Sequence, residues 1–269
     1  MGVNFNVQDK VAIVTGGAGV LCATLCRALV EAGAKVAVLD LRPEPTEALA
    51  AELGNNTAGI VCNVLDKPSI EAAAHKVLEF FGHVDILING AGGNKPQATT
   101  NAEQSFFDLP EDALRWVFDL NLMGTILPSQ VFGKIMAAQK SGVILNISSM
   151  NAFRPLTRIA AYSAAKAGVS NFTQWLAVHM AQEYCPEIRV NAIAPGFFLT
   201  EQNRFLLTDK DTGDLTPRGR QIIGHTPQGR FGTPDDLIGA TMWLVSPASA
   251  FVTGAVIPID GGFSAFSGV

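Results

Sequence analysis

The sequence predicts an α/β protein built on a doubly wound parallel sheet of about seven strands, with helices on both faces. Three observations carry this. Short β-branched runs alternate with longer helical patterns along the whole chain, the order such a sheet requires. Most of the short runs are apolar at nearly every position, as strands buried on both faces are. The first run leads straight into Gly16-Gly17-Ala18-Gly19 and then a helical pattern, a tight strand-to-helix connection.

The elements follow in order. Val11–Thr15 is the first strand and Leu21–Ala32 the helix after it. Lys35–Leu39 and Glu44–Leu53 repeat the unit. Gly59–Cys62 is the third strand, and Pro68–Phe81 a helix with Asp66 as its expected cap and proline just inside. Val84–Asn89 is the fourth strand, followed by a polar, loop-like stretch, Gly92–Pro110. A long helix is expected over Glu111–Ala138, a fifth strand over Gly142–Ser148, and a helix over Tyr162–Glu183. Ile188–Ala194 is the sixth strand. Leu199–Gly232 is irregular, with one short helical stretch near Thr216–Gly224. Thr233-Pro234 opens a helix to Val245, and Ala255–Ile259 is the last strand. Neither repeats nor a low-complexity linker divide the chain, so residues 1–269 read as one domain. Ligands bind outside the carboxyl ends of strands in open α/β sheets. Both irregular segments leave such ends, which makes residues 199–232 a candidate substrate lid.

Composition narrows the function. The net charge of −5 argues against a nucleic-acid binder, which needs a basic face. No run approaches the roughly 18 apolar residues of a membrane span. No basic stretch leads into an apolar signal core, and Asn6 stands where N-myristoylation wants Ser or Thr. The four cysteines form no CxxC pair, and a reduced, cytoplasmic protein is expected. Cys22 and Cys26 alone are a poor ligand set, and His75, His83, His179 and His225 show no metal spacing; no metal is expected.

The glycine turn lets backbone N–H groups approach a pyrophosphate at a helix N-terminus. Asp40 closes the second strand, where a carboxylate can accept hydrogen bonds from both adenosine ribose hydroxyls. Together these point to a Rossmann-type dinucleotide site. Asp40 would repel a 2′-phosphate, so NAD is expected over NADP; Arg42 reads as an exposed loop charge that could soften the preference. Asn89-Gly90-Ala91-Gly92 forms a second tight turn beside the same crevice.

Tyr162 and Lys166 are spaced i, i+4 on a helix, so phenol and ammonium can meet one ligand. Ser149 ends the fifth strand, and Asn121 sits in the preceding helix. Reducing a ketone requires a proton donor, but an unperturbed tyrosine titrates near about 10. A cation about 4 Å away is worth roughly 4 kcal/mol at an effective dielectric of 20. That would draw the phenol toward working pH.

Thr15-Gly16 with its glycine turn, Asn89-Gly90-Ala91-Gly92, Asn121, Ser149, Tyr162-Ser163-Ala164-Ala165-Lys166 and Pro195-Gly196 together resemble the short-chain dehydrogenase/reductase family over nearly the whole chain. The resemblance implies Tyr162 as acid/base, and Lys166 as its pKa modulator and a ribose ligand. Ser149 would orient substrate, and Asn121 would anchor a relay water. Gly16, Gly17, Gly19, Val20, Leu21, Asp40, Asn63, Val64, Asn89, Gly90, Ala91, Pro195, Gly196 and Thr200 would hold NAD with Tyr162 and Lys166. The turn departs from the family's T-G-x-x-x-G-x-G: Val20 and Cys22 replace two glycines, and Gly19 comes one place early. Asn63 stands where the family often has Asp.

Ser149–Arg158 and Phe198–Arg204 are similar to the D-mannonate oxidoreductase (fructuronate reductase) branch of that family. Lys95, Arg154, Arg158 and Arg204 fall in segments expected to border the pocket. They would bind a substrate carboxylate, Arg154 and Arg204 foremost. Asn151, Gln202 and Asn203, with Asn94, would read sugar hydroxyls. The expected reaction is therefore hydride transfer between NAD(H) and a sugar acid such as D-fructuronate/D-mannonate. A neutral polyol, a steroid, an acyl thioester, or a non-catalytic nucleotide sensor are the alternatives. Phe263 and Phe266 in the tail suggest a subunit interface, and the resemblance implies a homotetramer.

Overall fold

The computed structural model describes residues 2–200, 204–210 and 212–268. Seven strands form one sheet: β1 (Val11–Thr15), β2 (Lys35–Asp40), β3 (Thr57–Val61), β4 (Ile86–Asn89), β5 (Gly142–Ile147), β6 (Ile188–Pro195) and β7 (Val256–Ile259). They lie in the order β3-β2-β1-β4-β5-β6-β7, every pair parallel. The strand order reverses between β1 and β4, which opens a crevice at their carboxyl ends. Register puts Thr15 beside both Leu39 and Asn89, so the ends of β1, β2 and β4 emerge together.

The helices are α1 (Val20–Glu31), α2 (Pro43–Leu53), α3 (Lys67–Phe81), α4 (Glu111–Phe118), α5 (Gly124–Gln139), α6 (Ala160–His179), α7 (Arg204–Leu207), α8 (Pro217–Gly224) and α9 (Ile238–Val245). They cover both faces of the sheet. Val11 and Ile13 of β1 pack into a core with Phe132, Met136 and Ile144, while Ala12 and Val14 pack on the opposite face with Leu25, Leu29 and Leu244. Apolar residues on both sides of the strand explain its unbroken hydrophobic run. Each fully buried Val, Ile or Leu contributes about 1.5–3 kcal/mol, so the central strands anchor the crevice rigidly.

Two local expectations change, and the tail takes a defined place. The helix expected over 111–138 is interrupted by a π-turn, Asp119–Met123. Asn121 Nδ2 donates to the Val117 carbonyl at 2.8 Å, the acceptor its own N–H would take in an α-helix, and π-turns of this kind recur at functional sites. Asp66 occupies the cap position of α3, but its side chain makes no capping hydrogen bond. The tail does not project. Phe263 lies 5.2 Å from the Phe197 ring, and Phe263 and Phe266 flank His225 at 5.4 and 5.2 Å. Apolar residues near a terminus are thus packed against their own chain.

Candidate active site

The cleft at the strand ends has a volume of about 590 Å³. At its floor Gly16 adopts a φ of +62°, and a Cβ there would lie 2.8 Å from Ala91 Cα; only glycine suits both conditions. The Thr15 hydroxyl accepts hydrogen bonds from the N–H groups of Gly90 (3.2 Å) and Ala91 (3.3 Å), tying the two turns together. A Cβ on Gly90 would collide with the Cys22 sulfur. Burial pushes the Cys22 thiol up to about 12, so this cysteine fills space rather than reacting.

Asp40 Oδ2 accepts from the Ala18 N–H at 3.2 Å. Its Oδ1 accepts from the Arg42 N–H (3.2 Å) and guanidinium (3.1 Å). Arg42 is therefore a partner of the carboxylate rather than a loose loop charge. The Asn63 side-chain oxygen Oδ1 accepts from the Leu65 N–H at 3.0 Å.

Of the residues expected at the cofactor, Gly16, Gly19, Val20, Leu21, Asp40, Asn63, Val64, Gly90, Ala91, Tyr162, Lys166, Pro195, Gly196 and Thr200 line this cleft, with Ser149. Gly17 and Asn89 do not. The Asn89 amide turns into the core and donates to Ser129 (2.9 Å) and Asn146 (2.8 Å).

Ser149, Tyr162 and Lys166 come together at the crevice. Ser149 and Tyr162 line the same cleft. Lys166 is buried and donates to the Ile147 carbonyl at 2.8 Å. Its ammonium lies 5.7 Å from the Tyr162 ring centroid. The lowering of the phenol by an adjacent cation, expected from spacing alone, is absent: burial pushes Tyr162 up, and the Ser149 side chain opposes it. Burial also pushes Lys166 down to about 8. Asn121 is fully buried behind Gly92, with its amide bridging both backbone groups of Gly93.

The family model for short chain dehydrogenases matches residues 10–211. The chain belongs to that family. It is 48% identical over 276 residues to an uncharacterised oxidoreductase, UxuB, of Bacillus subtilis (strain 168), covering 98% of each chain. A crystal structure from Haemophilus influenza, provisionally assigned as a D-mannonate oxidoreductase and holding NAD, superposes with a TM-score of 0.92 at 46% identity, covering 98% of both chains. A D-threitol dehydrogenase of Mycolicibacterium smegmatis (strain ATCC 700084 / mc(2)155) is 35% identical over 264 residues, covering 97% of this chain and 95% of its own.

The short-chain dehydrogenase cleft differs from expectation at its substrate end. Arg154 is exposed, its guanidinium 3.5 Å from the Phe153 carbonyl. Arg158 is exposed at a φ of +77°, and its carbonyl accepts from the Thr100 N–H at 2.9 Å. Arg204 is exposed at the start of α7. Gln202 and Asn203 lie outside the described residues. Asn151 is buried beside Ser149; its N–H donates to Ser149 Oγ at 3.3 Å, and its side-chain oxygen has no hydrogen-bond partner. Lys95 is half-buried, with Nζ 4.3 Å from the centroid of Trp116. Trp116 and Leu120 line the cleft and were not anticipated. Their i, i+4 spacing on the helical stretch that leaves the polar loop is the signal that could have found them.

Among the described residues, no helix is long and apolar enough to cross a membrane.

Proposed function

We propose that this protein is an NAD-dependent oxidoreductase acting on a sugar acid, of the D-fructuronate/D-mannonate type. The glycine cradle and Asp40 suit a dinucleotide with an unphosphorylated adenosine ribose. NAD, when bound, supplies or accepts the hydride. Ser149 holds the substrate oxygen, and Tyr162 gives that oxygen a proton during reduction. Lys166 keeps positive charge beside the site, and Asn121 fixes the backbone of Gly93 and positions a relay water. Residues 199–232 cover the substrate. The base of that segment is pinned where the Leu199 N–H donates to the Gly232 carbonyl and the Gly232 N–H to that of Phe197, each at 2.9 Å.

The observation that supports the sugar-acid reading is Lys95, a cation held over Trp116, which lines the cleft together with Tyr162. The test is steady-state kinetics with fructuronate and a matched keto-sugar lacking the carboxylate. One charge-assisted contact is worth about 1.5–3 kcal/mol, so at least a tenfold preference in kcat/KM for the acid is expected. Equal values would favour a polyol dehydrogenase, the reading supported by the likeness to D-threitol dehydrogenase.

The pH dependence follows from Lys166, which loses its charge above about pH 8, while burial keeps Tyr162 protonated there. Reduction, measured as kcat/KM, should fall above about pH 8, and a rate flat to high pH would remove Lys166 from this role. The same depressed value means the native state binds fewer protons than the unfolded chain between about 8 and 10.5. Stability therefore rises with pH across that window.

A homotetramer in a reducing cytoplasm completes the proposal. All four cysteines are unbridged. Besides the tail, an apolar face suited to assembly is the groove between α5 and α6, lined by Phe172, Trp175 and Met180, with Trp175 57% exposed. Such patches mark association sites. Light scattering should give four chains for the wild type and fewer for Trp175→Glu; a monomeric wild type at micromolar concentration would reject assembly.

A further inference from the structure

The cations near the cleft are held in different ways. Arg42 is paired with Asp40 and Arg230 with Asp236. Lys95 instead sits over an aromatic face, its ammonium 4.3 Å from the Trp116 centroid. A salt bridge uses a cation's N–H donors and cancels its charge. An indole face attracts the charge through its quadrupole and can leave donors for an incoming anion.

The placement is built from below. The Lys95 carbonyl accepts hydrogen bonds from the Ala98 N–H (3.1 Å) and the Thr99 hydroxyl (2.9 Å), which closes a short turn of 3₁₀ helix, Pro96–Ala98. Ala98 is fully buried in a small cluster with Ala113, Val117 and Ala161, against which Trp116 and Tyr162 also pack. One apolar cluster thus fixes the turn that carries the cation, the indole beneath it and the phenol.

We propose that Trp116, which lines the cleft, is a specificity-determining positioning residue: it holds the Lys95 ammonium beside the cleft to receive a substrate carboxylate. The inference rests on the sugar-acid reading and adds the residue through which the choice is made. Trp116 acts through Lys95, and loss of its aromatic face releases the lysine into solvent.

The test measures kcat/KM for fructuronate and for the matched keto-sugar lacking a carboxylate, in wild type, Trp116→Phe, Trp116→Leu, Lys95→Met and the double variant Trp116→Leu/Lys95→Met. Thermal unfolding identifies any variant that fails to fold. The acid-to-neutral ratio should drop at least fivefold in Trp116→Leu and in Lys95→Met, mainly through KM for the acid. Trp116→Phe, which keeps an aromatic face, should retain most of the ratio. The double variant should be no less selective than the poorer single one, because both changes remove one interaction. A wild-type preference for the acid that survives Trp116→Leu, or a double variant whose losses add, would overturn this inference and leave the sugar-acid reading standing. A wild type without any preference would overturn both.

Discussion

Replacing Tyr162 with phenylalanine should lower kcat/KM for carbonyl reduction by roughly three orders of magnitude, within the range that general acid catalysis supplies. Ser149 lines the cleft beside the phenol, but a serine hydroxyl is too weak an acid to replace it. The Lys166 ammonium is already committed to the Ile147 carbonyl. The ring of phenylalanine keeps the packing against Ala98, Ala113 and Ala161, so the cleft should persist and NADH should still bind. The loss should appear in kcat as well as kcat/KM, since the proton is needed in the transition state. More than a tenth of the wild-type rate would remove Tyr162 from the role of acid.

The second large effect should be on stability. Arg189 of β6 is 7% exposed. Its guanidinium donates to the carbonyls of Leu244 (3.0 Å) and Ser246 (3.1 Å) and to the Ser249 hydroxyl (2.9 Å). Burial lowers its pKa, but the carbonyls that receive it solvate the charge. These bonds fasten the chain between α9 and β7 to the sheet, and β6 is the neighbour that β7 pairs with. Arg189→Ala would remove three charge-assisted hydrogen bonds and leave a cavity, although the Ser249 hydroxyl would still donate to the Leu244 and Ser246 carbonyls. At about 1.5–3 kcal/mol for a hydrogen bond from a charged donor, partly offset by the donors that remain, a loss on the order of 4 kcal/mol is expected. For a chain of this size that is a fall in Tm of roughly 10 °C. A fall under about 2 °C would show that water or neighbouring donors replace the guanidinium.

What the sequence made legible was whatever a short stretch determines by itself. β1 reads from five consecutive buried residues, and the shared face of Tyr162 and Lys166 from helical spacing. Asp40 reads from its place at a strand end. Features set by distant segments were not legible. Nothing near Lys166 in the chain says that its ammonium will seek the Ile147 carbonyl, which comes from the end of β5. Arg154 and Arg204 look as suitable for a carboxylate as Lys95 does; only the fold shows Lys95 laid on Trp116. The π-turn was hidden because it depends on Asn121 reaching Val117 and Gly93 at once. The tail was ambiguous because two phenylalanines near a terminus suit an interface and an intramolecular contact equally.

The collision between a Cβ at position 90 and the Cys22 sulfur makes those two positions epistatic. Where other turns of this family place a glycine on the helix, this one carries a thiol, and the space it needs is yielded by the opposite turn. A lineage can enlarge residue 90 only if residue 22 shrinks and the Thr15 carbonyl, 2.9 Å from the same Cβ, also gives way. The intermediate with bulk at both would overpack the floor of the cleft, at about 1–3 kcal/mol. Histories that include Gly90→Ala should therefore pass first through Cys22→Gly, and the two sites should change together across descendants.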